Sequence, residues 1–305
     1  MAKQKTVSAF KHFGTQAPEK SYKDLEGLRN ANIWIEKTSI DIKRVVAEYD
    51  KLKSLQSSEE DFKALAIEVF FLREWGPVEA PPDRQWRAER VLGLQCPPSE
   101  HGPWRLPPEV YTHVHPECRS QLDTWRVYDR PDCAYWLSLK GFSLEDCFKV
   151  EQYGFKHGHI VYPYLTIEFQ RDGETDADLG KRIKATGSVA LYNRWYLYKE
   201  ARSRVEPERA GNKLDIRHYG LTCTGHQTCI WILRPKLDSY NKLKWEGFTM
   251  AKVVEMDCMD EDAIANLMEW INEIHRWGLS EHGPSVERNI EAIRTNGALG
   301  TSGFS

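Results

Sequence analysis

Tyr162-Pro163-Tyr164-Leu165-Thr166-Ile167-Glu168-Phe169-Gln170-Arg171-Asp172 is the stretch from which the fold of this chain is read. Leu165, Ile167 and Phe169 alternate with Thr166, Glu168 and Gln170, the period of two that marks a half-buried strand. The apolar set is expected to pack inward, while the threonine, the acid and the amide share the other face. An acid and an amide two residues apart on one strand face can ligand a hard cation and position a water. Taken alone, they fit a polar pair on a solvated face equally well.

A second acid lies thirty-six residues upstream, in Arg130-Pro131-Asp132-Cys133-Ala134-Tyr135-Trp136-Leu137, an apolar run of strand character. Proline is tolerated at the first residue of a strand, so Asp132 is expected near that strand's entrance. Pro131-Asp132 followed by Glu168-x-Gln170 resembles the PD-(D/E)XK nuclease superfamily, with glutamine where lysine is usual. More narrowly, the chain resembles nuclease-like proteins common in filamentous fungi. Ala190-Leu191-Tyr192-Asn193-Arg194, His218-Tyr219-Gly220-Leu221-Thr222 and the run from Trp270 to Gly278 add to that likeness.

The resemblance implies an α/β (α+β) domain with a mixed central sheet flanked by helices, a restriction-endonuclease-like core, over residues 120–296. It also implies that Asp132 and Glu168 hold Mg²⁺ or Mn²⁺ for phosphodiester hydrolysis. Gln170 would orient the water but brings no charge, and loss of a charge aimed at a transition state costs ~3–4 kcal/mol. A compensating cation must then come from elsewhere. Arg182 is the best placed by pattern, so the candidate catalytic set is Asp132, Glu168, Gln170 and Arg182.

Outside that domain, residues 1–21 read as a flexible lead and 22–76 as a helical N-terminal extension. Ile42, Val45, Val46, Tyr49, Leu52 and Leu55 follow helical spacing, with Ser39 as the expected N-cap. Ser57-Ser58-Glu59-Glu60 has capping-box spacing ahead of a second amphipathic helix. Glu68 on that helix reads as a solvated glutamate. Nine of the fifteen prolines fall between Pro77 and Pro116, so 77–119 is expected to be irregular chain. At its end His113-x-His115-x-x-Cys118 offers zinc-type ligands but no evident fourth, and ordinary loop residues are the expectation. Residues 297–305 are small and polar, a disordered tail.

Within the domain, Lys156-His157-Gly158-His159 reads as a turn, its histidines either surface residues or neighbours of the acid-bearing strand's chemistry. Ser143 to Tyr153 is ambiguous. Asp176 to Arg202 reads as a long helix with Leu179, Ile183, Thr186, Ala190, Asn193 and Leu197 on one face. Lys181, Lys184, Lys199 and Arg202 project from the opposite face, a solvated row or a local surface for nucleic acid. Two strands are expected around the turn Thr224 to Gln227, and Lys244 to Asp257 is expected to hold another strand pair. Cys223-x-x-His226-x-x-Cys229 has three potential ligands, but reduced packing cysteines explain it better. Ile264 to Ile274 forms an amphipathic helix that Gly278 is expected to end, followed by a short helix capped by Ser285.

The bulk numbers bound the rest. The 305 residues are 41% hydrophobic, and no apolar run approaches the ~18 residues of a membrane span. With no signal-peptide pattern and seven scattered cysteines, an intracellular protein of the cytoplasm or nucleus is expected. A formal net charge of −3 supplies no global attraction to phosphate. Three function classes remain open: a metal-dependent nuclease acting on DNA or RNA, a catalytically silent nuclease-like binding module, and a repurposed fold acting in fungal secondary metabolism.

Overall fold

A computed structural model describes residues 31–74, 87–93, 107, 131–153, 156–170, 176–204, 216–238 and 243–297. The chain enters through two helices, α1 (Ile42–Ser54) and α2 (Glu59–Val69). Asp41, rather than Ser39, caps α1: its carboxylate accepts the Arg44 N–H at 3.1 Å. The Ser39 hydroxyl instead donates to the Glu36 carbonyl. The capping box of α2 is Ser58 with Asp61, one residue later than the sequence spacing suggests. The shorter Asp61 carboxylate reaches back to the Ser58 N–H at 2.9 Å, so Glu60 is not needed there.

Strand β1 (Ala88–Leu92) lies inside the segment expected to be irregular. Its pairing with β2 (Cys133–Ser138) makes it a strand, and its local pattern of mixed charges gives no sign of it. The chain continues through α3 (Leu144–Tyr153), β3 (Lys156–His157), β4 (Ile160–Gln170), α4 (Asp176–Arg202), β5 (His218–Thr224), β6 (Gln227–Leu237), β7 (Trp245–Asp257), α5 (Glu261–Trp277) and α6 (Gly283–Gly297). The ambiguous stretch is thus helical, and the Ser143 hydroxyl accepts the Asp146 N–H at 3.1 Å at its start. Lys244 to Asp257 holds one strand rather than two. Register shifts against β6 absorb its uneven apolar spacing, so β7 pairs along its length without a turn.

The described strands form one sheet in the order β1-β2-β4-β5-β6-β7, with β3 paired to the start of β4. Neighbours are antiparallel except β4 and β5, which are parallel and joined by the α4 crossover. The protein is therefore a mixed sheet with helices on its faces. All eleven residues of β4 are buried, so the strand is not half-buried as its alternation suggests. Helix α4 covers the polar face. A Cβ on Gly220 of β5 would come within 2.5 Å of Ile183 Cγ2, so the helix closes this tightly only over a glycine. On the other face Phe71, just past α2, meets Phe169 edge-on at 6.0 Å, and His275 of α5 meets Tyr135 at 4.5 Å.

Tyr162-Pro163 does not break β4 because the register shifts there, between the pairs of Tyr135 and Leu137. Tyr162 takes a φ of 43°, and the irregularity leaves room for a proline that cannot donate. Helix α5 does not stop at Gly278, whose φ of −56° is right-handed. A wide π-helical turn, Gly278–His282, carries the chain directly into α6. The glycine serves close approach: a Cβ there would lie 2.6 Å from the Tyr164 ring. Ser285 accordingly sits within α6, where its hydroxyl donates to the His282 carbonyl. Among the described residues, no helix is long and apolar enough to cross a membrane.

Candidate active site

Strand β2 begins where β4 ends, which brings the two sequence-predicted acids together. The pairing runs Ala134 to Thr166 and Cys133 to Ile167, and one further step of that register sets Asp132 opposite Glu168. Both oxygens of Asp132 are engaged. Oδ2 accepts the backbone N–H of Phe169 at 2.9 Å, and Oδ1 accepts from Lys63 Nζ at 2.8 Å.

Lys63 comes from α2 and passes 5.8 Å from the centre of the Phe169 ring. Its ammonium also lies 3.6 Å from Glu60. Burial disfavours that charge, but the hydrogen bond and charge of Asp132, with help from Glu60 and Glu59, raise the Lys63 pKa overall. The Lys63 and Asp132 side chains keep 20% and 22% exposure, so the pair forms a solvent-reachable rim.

Glu168 is more enclosed, at 2% exposure. Burial pushes its carboxyl up to about 8, and the Asp132 charge pushes the same way. Arg182, the Thr186 hydroxyl and the Asp132 main chain pull it back. The Thr186 hydroxyl on α4 stands 3.3 Å from Glu168 Oε1 and 3.1 Å from the Arg182 carbonyl. Gln170, on the same strand face, is buried, and its Oε1 has no hydrogen-bond partner among the described residues. An unmade bond of that kind costs ~1–3 kcal/mol, which a water or a cation beside it would recover.

Arg182 reaches the edge of this group. The residue is exposed, and its guanidinium donates to the Phe169 carbonyl at 3.4 Å. Glu68 is exposed, as expected of a solvated glutamate. The acid that α2 does turn toward the site is Glu59, whose carboxyl is raised by burial and then by Asp132, and lowered by Arg182 and Lys63. Glu59 and Lys63 escaped the sequence reading. The available signal was their spacing: Glu59, Lys63, Ala66 and Phe70 recur at three and four, on the flank of a buried stripe.

Two carboxylates and an orphaned amide oxygen are hard donors of the type Mg²⁺ and Mn²⁺ prefer. Among the described residues, no three His, Cys, Asp or Glu side chains gather to hold an ion. Gln170 follows Glu168 by two positions on the same strand face, and Lys63 sits on one oxygen of Asp132.

The other candidates fall away from this end. His113, His115 and Cys118 lie outside the described residues, as does the His157 side chain. His159 is exposed at the opposite end of β4, about 25–30 Å along the strand from Glu168, so it is not a neighbour of the acids. His226 Nδ1 lies 2.8 Å from Asp257 Oδ1, while Cys223 and Cys229 are buried thiols that form no disulfide. Burial pushes the Cys223 thiol well up, which suits packing rather than ligation. The four basic residues of α4 share a stripe, but Lys181 and Lys199 are separated by about 27 Å of helix. Lys181 and Lys184 are exposed, whereas Lys199 lies over Trp195 and Tyr196 and Arg202 over Tyr198. The expected row is two separate pairs.

No family model, curated protein or solved structure matches the chain.

Proposed function

We propose that this chain is a nuclease-like protein that hydrolyses phosphodiester bonds in DNA or RNA at the end of β2 and β4, inside the cell, on a restriction-endonuclease-like core. The observation that carries the reading is the convergence of Asp132, Glu168 and the unpartnered Gln170 Oε1 at one strand end, with Lys63 against the first acid. The antiparallel placement of the two acids and the α4 crossover to a parallel β5 support it.

Asp132, Glu168 and the Gln170 oxygen would hold Mg²⁺ or Mn²⁺. Such an ion would neutralise phosphate charge and acidify a water. The residues do the rest. The Gln170 amide is placed to orient a water, and Arg182 and Lys63 supply positive charge on either side of the acids. In the reaction the water oxygen bonds to phosphorus as the bond to the leaving oxygen breaks. The water gives up one proton and the leaving oxygen gains one. Burial of Glu168 beneath α4 holds its carboxyl group in place, and a bound cation would favour its ionised form against the upward pull of that burial.

The test is titration calorimetry with MnCl₂, alongside cleavage of generic single- and double-stranded DNA and RNA. The parent protein should bind Mn²⁺ and cleave at least one substrate, and Asp132→Asn and Glu168→Gln should each lose both properties. Equal Mn²⁺ binding by the parent and both variants would reject the site. One observation favours the catalytically silent reading: Lys63 already neutralises Asp132. On that reading the parent binds no Mn²⁺ at all.

A further inference from the structure

We propose that Lys63 and the divalent cation compete for Asp132, so that the ammonium guards the site until an ion displaces it and then serves as the cation missing from position 170. This inference rests on the proposed site and assigns it a gate. The geometry supplies three reasons. Lys63 Nζ lies 2.8 Å from Asp132 Oδ1, the oxygen that the backbone N–H of Phe169 leaves free. The lysine belongs to α2, so it can swing without disturbing β4, and at 20% exposure its tip has water to move into. The sheet itself has no cation at position 170, where Gln170 brings an amide whose Oε1 is unpartnered among the described residues.

An ammonium and a divalent ion brought to the same carboxylate oxygen repel each other across a few ångströms. Entry of the ion therefore works against the Lys63 contact. In its paired position the ammonium already lies 5.8 Å from the Phe169 ring centre and 3.6 Å from Glu60, so a displaced side chain on the same α2 stem remains near the strand end. It is then a positioning charge facing incoming phosphate, a second function for the same side chain.

Competition gives opposite signs for two measurements, which a merely structural lysine cannot. In Lys63→Gln, Mn²⁺ should bind about threefold or more tightly, because a partly exposed ion pair no longer has to be broken. Cleavage by the same variant should fall by about a hundredfold. Lys63→Arg should stay near the parent in both. Adding Gln170→Lys to Lys63→Gln should weaken Mn²⁺ binding again, because an ammonium replaces the Gln170 oxygen beside the two acids. The calorimetry needs no substrate. Unchanged or weaker Mn²⁺ binding by folded Lys63→Gln overturns the competition, even where the parent binds the ion and Asp132→Asn does not. A parent that binds no Mn²⁺ overturns the site itself, and this role with it.

Discussion

Asp132 Oδ2 accepts the backbone N–H of Phe169 at 2.9 Å, so the acid that opens one strand pins the end of its neighbour. The same carboxylate holds Lys63 through its other oxygen. A side chain proposed for chemistry is therefore also part of the fold, and the two roles separate by substitution. Asp132→Asn retains an oxygen for Phe169 and should lose little stability. Asp132→Ala leaves a strand-end N–H without its acceptor and the partly buried Lys63 ammonium with Glu60 in place of its closer ion pair, and should cost ~1–3 kcal/mol. Urea unfolding of both variants checks this, and equal losses would show that the Phe169 bond contributes nothing.

Gly278 is the second test of packing. Its neighbour Tyr164 presents the ring at a distance where any Cβ must overlap it, at 2.6 Å, and the Tyr164 hydroxyl is tied to His275 Nδ1 at 2.9 Å. The ring has little freedom to retreat. Gly278→Ala should lower stability by ~1–3 kcal/mol although alanine is the better helix former. A rise in Tm would mean that the turn relaxes to admit the methyl group. Trimming Tyr164 in the same molecule, as Tyr164→Leu, should make the two losses less than additive.

Acid sensitivity should come in part from His218. The ring is buried, with Nε2 3.1 Å from Thr166 Oγ1, and burial lowers its pKa to about 3, with a bond to the Pro163 main chain opposing. His282 nearby is lowered as well, by burial and by Arg194, while its bond to the Tyr162 carbonyl opposes. Above pH ~6.5 both folded and unfolded histidine are neutral and nothing is lost. As pH falls below that value the unfolded state gains protons that the folded state refuses, so stability drops until about pH 3. The His218 share is up to ~4 kcal/mol. Unfolding free energies measured from pH 7 to pH 4 should therefore decline more steeply in the parent than in His218→Gln. Parallel curves would place the acid sensitivity elsewhere.

If nucleic acid binds, the two basic pairs of α4 should behave differently. Lys181 and Lys184 are exposed near the acid end, while Lys199 and Arg202 lie over aromatic rings farther along. Lys181→Gln with Lys184→Gln should flatten the dependence of log affinity on log salt, by about 0.9 for each phosphate no longer neutralised. Lys199→Gln with Arg202→Gln should leave that slope alone and lower stability instead, because their stems no longer cover the rings. Equal effects of the two double variants on the slope would restore the continuous row.

Elements whose pattern is local can be read from the chain alone. Alternation from Leu165 to Gln170 marks β4, and the helical repeat from Asp176 to Arg202 matches α4 from end to end. These periods follow from backbone geometry and need no partner. The two acids were legible for a related reason: Pro131-Asp132 and Glu168-x-Gln170 each sit at a strand end that sequence locates. What the strand faces was not legible. Thr166, Glu168 and Gln170 look solvated until α4 closes over them, and that closure depends on Gly220 yielding to Ile183. β1 exists only through its pairing with β2. Gly278 reads as a helix stop because glycine usually supplies a left-handed turn, yet here it makes room for a ring 114 positions away in sequence. Lys63 is the sharpest case. It is 69 residues from Asp132 and has no motif of its own, and only the packing of α2 against the end of β4 brings its ammonium to that carboxylate. Charge pairing across such a distance is a property of tertiary packing, because neither side chain carries any local record of the other.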